Sequence, residues 1–397
     1  MRYYKSFFIV FIIFVVGCFS CEKSGQFSYF NPSKAVIYEE TQILKTYPFS
    51  DPNPIPNIGR IYPYFKFDGY TNHAIDQSWK MVVMENEYLK VFISPEIGGK
   101  IWGAIEKSTG KEFLYKNEVV KFRNIAMRGP WTSGGLEFNF GDIGHAPSCS
   151  TPVDYSLKKN ADGSVSCIVG AYDLPSRTRW NVKITLPKDK AFLETTVSWF
   201  NLTDEYTSYY HWMNAAAKAS GNLEFFYPGK DFIGHGGEPS SWPISSGRDL
   251  SKYENNDFGG YKSYHVVNAY ADFFGGYWKE DDFGFGHHTD YDVKPGKKLW
   301  IWGLSQQGMI WEDLLTDNDG QYIEYQSGKL FNQAAEQSTY SPFKHRSFGP
   351  HVADLMKEIW FPLKSTKGMV AASKYAVLNV EEERDSVDIY LSALQHL

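Results

Sequence analysis

Apolar and polar residues along this chain change over short runs and seldom recur at helical spacing. The runs at 81–84, 89–93, 100–105, 164–169, 179–184, 192–199, 299–303, 374–378 and 387–391 are rich in β-branched and aromatic residues. Each is bounded by Gly, Asn or Pro. With turn signals between them they predict an all-β sandwich with few helices. There is no internal repeat, no Gly-x-Gly-x-x-Gly turn and no regular exchange of strand with helix, which argues against a parallel nucleotide-binding sheet. Segment 228–298, crowded with Gly, Asp, Ser and His, reads as long loops carried by that scaffold.

The N-terminus follows a different pattern. Arg2 and Lys5 precede an unbroken apolar run at 7–16, too short to span a bilayer as an ordinary helix. Val15-Val16-Gly17-Cys18 then resembles the lipobox of bacterial lipoproteins, which implies a signal peptide over 1–17 and lipid on Cys18; Cys21 is the alternative. Several acyl chains give lasting anchorage. The Pro-rich stretch that follows reads as a tether over 18–57, leaving 58–397 as the folded domain. The address implied is the bacterial cell envelope, at the outer membrane or facing the periplasm, with the membrane as a partner through the lipid.

Composition adds two points. Aromatics reach 17%, with 12 Trp, 27 Tyr and 29 Phe, and such rings fill β cores and stack on sugars alike. The net charge of −6, with signs interspersed, offers no basic stripe, so no nucleic-acid partner is expected. Cys149 and Cys167 could pair in an oxidising compartment, although simple hairpin register does not set them opposite each other. No zinc spacing is present, and His287-His288-Thr289-Asp290-Tyr291-Asp292 reads as a solvated loop, so neither metal nor cofactor is called for.

A family resemblance comes from longer motifs. Ile93-Ser94-Pro95-Glu96-Ile97-Gly98-Gly99-Lys100-Ile101-Trp102, then Thr109-Gly110-Lys111-Glu112-Phe113-Leu114-Tyr115, resemble the opening of the galactose mutarotase-like (aldose 1-epimerase-like) superfamily. Arg128-Gly129-Pro130-Trp131-Thr132-Ser133-Gly134-Gly135-Leu136-Glu137-Phe138-Asn139-Phe140 is similar to an exported bacterial branch of it. The resemblance covers residues 75–395 and implies a galactose mutarotase-like β-supersandwich with a concave, sugar-binding face. It also implies a carbohydrate ligand.

The resemblance points to His211 as an acid and Glu324 as a base, with Gln326 beside Glu324 on the same strand face. Glu137 and Asn139 share a strand face as well, suiting a proton donor or hydroxyl clamp, with Arg128 to hold substrate or orient Glu137. His145 in a turn, Trp212 as a stacking ring and Glu358 as a third carboxylate complete the expected substrate contacts. Glu137, Glu324 and His211 are thus the expected catalytic groups. Three readings stay open: a glycoside hydrolase acting through Glu137 and Glu324, a non-catalytic glycan-binding lipoprotein, or an aldose 1-epimerase working through His211 and Glu324.

Overall fold

Alternate burial is plainest in the neighbouring strands Thr178–Leu186 and Leu193–Asn201, where every second side chain is buried. Trp180, Val182 and Ile184 of the first, with Val197 and Trp199 of the second, turn inward. Residues of one parity can leave water only by facing another sheet, so the pattern demands a second layer. The computed structural model describes residues 34–56, 65–126, 129–142, 144–256, 259–306, 308–331 and 346–395. Cys18 and Arg128 lie outside them.

Among the described residues, eight strands form the back sheet and thirteen the front sheet. The back sheet runs in the order Asp154–Lys159, Val165–Asp173, Thr178–Leu186, Leu193–Asn201, Ala353–Lys364, Phe283–His288, Phe273–Trp278, Leu223–Phe226. The centre of the front sheet runs Lys262–Val267, Gly296–Ile301, Tyr322–Gly328, Trp212–Lys218, Leu136–Asn139, Lys100–Glu106, Leu89–Ser94. All these neighbours are antiparallel. Val82, Ile93, Ile101, Leu136, Met213, Ala215, Ile323, Tyr325 and Leu299 face the back sheet and make one apolar core with it. The strands at 371–393 cover the outer face of the back sheet, where Val377 and Leu394 meet Phe273, Ile359 and Phe361. The single α-helix among the described residues is Ile310–Thr316, and no helix there is long and apolar enough to cross a membrane. The fold is thus all-β, as the strand pattern predicts.

Several expectations need correction. The stretch expected as a tether holds Val36–Tyr47, a twelve-residue strand of the front sheet, paired with Ile75–Glu85 from Val36↔Glu85 to Thr46↔Ile75. It was obscured because few of its side chains are buried; Ile37 and Leu44 carry the packing among charged neighbours. Segment 228–298 is not loop throughout. Phe273–Trp278 and Phe283–His288 form a hairpin within the back sheet, every residue but His288 buried. Its glycines mark close packing: a Cβ on Gly286 would meet the Phe361 ring at 2.3 Å and one on Gly275 the carbonyl oxygen of Phe285 at 2.2 Å. Cys149 and Cys167 form no disulfide. Cys167 sits mid-strand opposite Leu157, while Cys149 lies in the 3-10 turn Pro147–Ser150, against Gly98.

Candidate functional site

The parity of the front sheet's central strands that points away from the core between the sheets builds the site. Leu136 and Phe138 go to the core, so Glu137 and Asn139 project from the opposite face. Likewise Ile323 and Tyr325 go inward, and Glu324 and Gln326 outward. Register then joins distant stretches in one transverse row: Glu137 opposite Asn214, Asn214 opposite Gln326, Gln326 opposite Lys298. The next row sets Ala216 beside Glu324 and Glu324 beside Trp300. The Cα atoms of Glu137 and Glu324 are two strand spacings apart across the sheet and offset by two residues along it, about 12 Å in all, with both side chains on one face.

Gly135 makes the turn into the Glu137 strand possible. Its φ of +66° suits glycine, and a Cβ there would meet the Ile101 carbonyl oxygen at 2.0 Å. Trp131, just upstream, donates its indole N–H to Glu137 Oε2 at 2.5 Å. Asn139 Nδ2 donates to Glu137 Oε1 at 2.8 Å, and His145 Nδ1 meets that same oxygen. The imidazole of His145 is flanked by the Trp131 ring at 5.2 Å and the Trp212 ring at 4.8 Å. Trp212 is fixed by an N–H bond to the Gly144 carbonyl at 3.0 Å, and Asn139 Oδ1 accepts the Ala146 N–H at 2.6 Å. The Gly144-His145-Ala146 turn is thereby pinned over Glu137. Buried Lys100 donates to the carbonyls of Thr132 and Ser133 behind it.

The two carboxylates occupy opposite electrostatic settings. Burial alone would raise the Glu137 carboxyl, but His145 and then Lys100 outweigh it and hold the group below its ordinary value. Glu324, with the Gln326 amide donating to its Oε2 at 2.8 Å, is pushed up. Burial is the main cause and the negative charge of Glu137 adds to it, against His145 and Lys298. Burial brings the Lys298 ammonium down to about 7, Glu324 opposing, and the Lys100 ammonium down to about 8. Glu137 is 2% and Glu324 4% exposed, whereas the His145 side chain keeps 20%. In the same row Asn214 Oδ1 is buried with no hydrogen-bond partner among the described residues.

Two expected site residues are elsewhere. His211 is 1% exposed and belongs to the core side. Its ring stacks on Phe140 at 4.5 Å and lies near Trp199, and its Nδ1 bonds the Asn139 carbonyl at 2.9 Å. Burial keeps the imidazole neutral, well below its ordinary value. It therefore forms no acid–base pair with Glu324; the adjacent Trp212 has the outward parity instead. Glu358 lies between the two sheets. Its carboxylate accepts from Lys294 at 2.6 Å, meets His287 Nε2 at 2.7 Å, and accepts from Ser327 at 2.6 Å. Ser327 is on the strand of Glu324 and Gln326 but on the opposite face, so Glu358 serves the core and not the row of Glu137 and Gln326.

Conversely, Lys298, Lys100, Asn214 and Trp300 were not anticipated. Lys298 was detectable: in 297–301, Leu299 and Ile301 claim the core, which leaves Lys298 and Trp300 on the face of Glu324. Lys100 gave no signal, because at the start of the predicted run 100–105 nothing local shows that its ammonium is buried. Trp242 and Trp278 belong to the core between the sheets.

A two-layered antiparallel sandwich with a polar row on the outer face of its larger sheet is the galactose mutarotase-like fold, and solved structures agree. A galactose mutarotase-like protein from Lactobacillus casei ATCC 334 superposes with a TM-score of 0.50 at 12% identity, over 71% of this chain and 99% of that one. One from Clostridium acetobutylicum gives 0.50 at 11%, over 72% and 96%. A TPR-domain containing protein from Parabacteroides distasonis ATCC 8503 gives 0.73 at 24% identity, over 84% of this chain; the match spans 56% of that protein's length. Within this fold, residues 56–363 match the family described as "Domain of unknown function (DUF5107)", and the chain belongs to that family.

Proposed function

We propose that this protein binds a saccharide on the outer face of the front sheet and hydrolyses a glycosidic bond there. The observation that carries the reading is the pair Glu137 and Glu324: one face, opposite electrostatic settings, walled by Trp131, Trp212 and Trp300. A glycosidase needs one carboxyl protonated and one ionised at the same pH, and environments that push two carboxyls apart supply that. Glu324, raised by burial, is the proton donor to the leaving oxygen. Glu137, held ionised by three hydrogen-bond donors, is the base or nucleophile. The buried Asn214 Oδ1 supplies an acceptor for a sugar hydroxyl. The Trp300 ring, which is partly exposed where Trp131 and Trp212 are buried, supplies the apolar contact.

The same hydrogen bonds favour a second reading. Because Trp131, Asn139 and His145 occupy both Glu137 oxygens, the carboxylate can serve as a fixed clamp in a glycan-binding protein without turnover. Product release from a panel of aryl glycosides and polysaccharides decides between them. Released reducing sugar supports hydrolysis; glycan binding with no release from any substrate overturns it in favour of the binding protein. An epimerase is disfavoured by the core position of His211.

The N-terminal pattern supports export to the cell envelope with a lipid anchor on Cys18. Metabolic labelling with a fatty acid is expected to mark the wild type and not Cys18→Ser. Label retained in Cys18→Ser and lost in Cys21→Ser would move the anchor to Cys21.

A further inference from the structure

Beyond the Glu137–Glu324 centre, the same face of the front sheet borders a hollow. A cavity of about 510 Å³ opens beside the Lys262–Val267 strand, lined by His235, Glu238, Arg248, Tyr261 and Ser263 among others. Tyr261 is 50% exposed and stacks on Trp300, ring centres 4.3 Å apart and planes within 13°. His235 packs edgewise on both rings, at 5.6 Å from Tyr261 and 5.2 Å from Trp300. Trp300 is therefore shared: it sits opposite Glu324 on one neighbouring strand and opposite Ser263 on the other. Ser263 consequently stands two strand spacings, about 10 Å, from Glu324 along one transverse row, a length that a disaccharide spans.

We propose that this cavity is a distal subsite for a further sugar unit of the same glycan, so that the preferred ligand is an oligosaccharide or polysaccharide chain lying across the strands. The inference rests on the saccharide reading above and adds to it the direction and minimum length of the ligand. Two independent features make the hollow a built site. The buried Ser263 Oγ lines it with no hydrogen-bond partner among the described residues, an unmet donor and acceptor that a sugar hydroxyl satisfies. The Tyr261 ring is backed by Trp300 and so held rigid, with half its surface open to carry a pyranose face. His235 Nδ1 also lacks a partner among the described residues, and burial brings the imidazole down to about 4, so it meets the ligand neutral at physiological pH.

Calorimetric titration with ladders of cello-, xylo-, manno- and galacto-oligosaccharides, from one to six units, tests this on the full exported domain. Wild-type affinity is expected to climb with chain length and then level off. Tyr261→Ala should remove that climb, lowering affinity for the longer members by about tenfold and leaving the shortest bound member unchanged. Ser263→Ala should give a smaller loss in the same members. Tyr261 is half exposed, so its removal leaves the core intact, and an unchanged melting temperature checks this. Affinity independent of length, or a climb that survives Tyr261→Ala, overturns the distal subsite while the saccharide reading stands. No binding to any ladder overturns both.

Discussion

Glu324→Gln is expected to lower glycoside turnover by about 10²- to 10⁴-fold, the span usual for losing a general acid, with substrate affinity nearly unchanged. Gln keeps the shape and the contact with Gln326 but has no proton to give the leaving oxygen. Glu137→Gln should cost as much, for a different reason: an amide at 137 cannot stabilise the developing positive charge, and it meets His145 and Lys100 without the charge that balances them. The pH profile separates the two roles. Glu137 must be ionised and its value is lowered, so the acid limb lies below the ordinary carboxylate range. Glu324 must be protonated and its value is raised, so the alkaline limb lies above that range. Aryl glycosides with very good leaving groups should restore much of the Glu324→Gln rate, because they need little protonation. A variant equally slow on all leaving groups, with both limbs unchanged, would remove Glu324 from the acid role.

The largest stability change is expected at Glu358. Glu358→Ala strips the counter-charge from Lys294 and the partner from His287 in a wholly buried cluster, and breaking such a pair costs about 3–5 kcal/mol. Burial depresses the Lys294 ammonium, and the carboxylate only partly restores it. Burial also raises the Glu358 carboxyl, but Lys294 and His287 outweigh this and hold it well below the usual range. The sign follows from that depression. The unfolded chain takes up the proton first, so the stabilisation is complete above the ordinary carboxylate value near 4.3 and fades as pH falls through the lower folded value. Urea melts from pH 7 downward should show the gap between wild type and Glu358→Ala narrowing on the acid side. A constant gap, or one under 1 kcal/mol at pH 7, roughly the value of an exposed pair, would show that the cluster is not what joins the sheets there.

How much of this was legible beforehand differs by feature. The strand runs and the all-β class were readable because burial on one face imposes a period of two on the sequence itself, and that period survives in Arg179–Ile184 and its neighbours without knowledge of any partner. The same parity placed Glu137 with Asn139, and Glu324 with Gln326, on shared faces. It failed where packing overrides the local pattern. Val36–Tyr47 carries too few buried side chains to announce a strand, and the Phe273–Trp278 hairpin hides its pairing in glycines that exist for close contact.

The sequence alone therefore determined which residues share a strand face. Tertiary structure alone decided which faces meet. Asn214 comes beside Glu137, and Lys298 and Trp300 beside Gln326 and Glu324, through hydrogen-bond register between strands far apart in the chain. His211 and Glu358 carry chemistry as suitable as that of Glu137, yet they turn toward the other sheet, where aromatic rings and Lys294 enclose them. A side chain's chemistry is local, but whether it faces a cleft or a core depends on the layer behind its strand, and no short stretch of sequence encodes that.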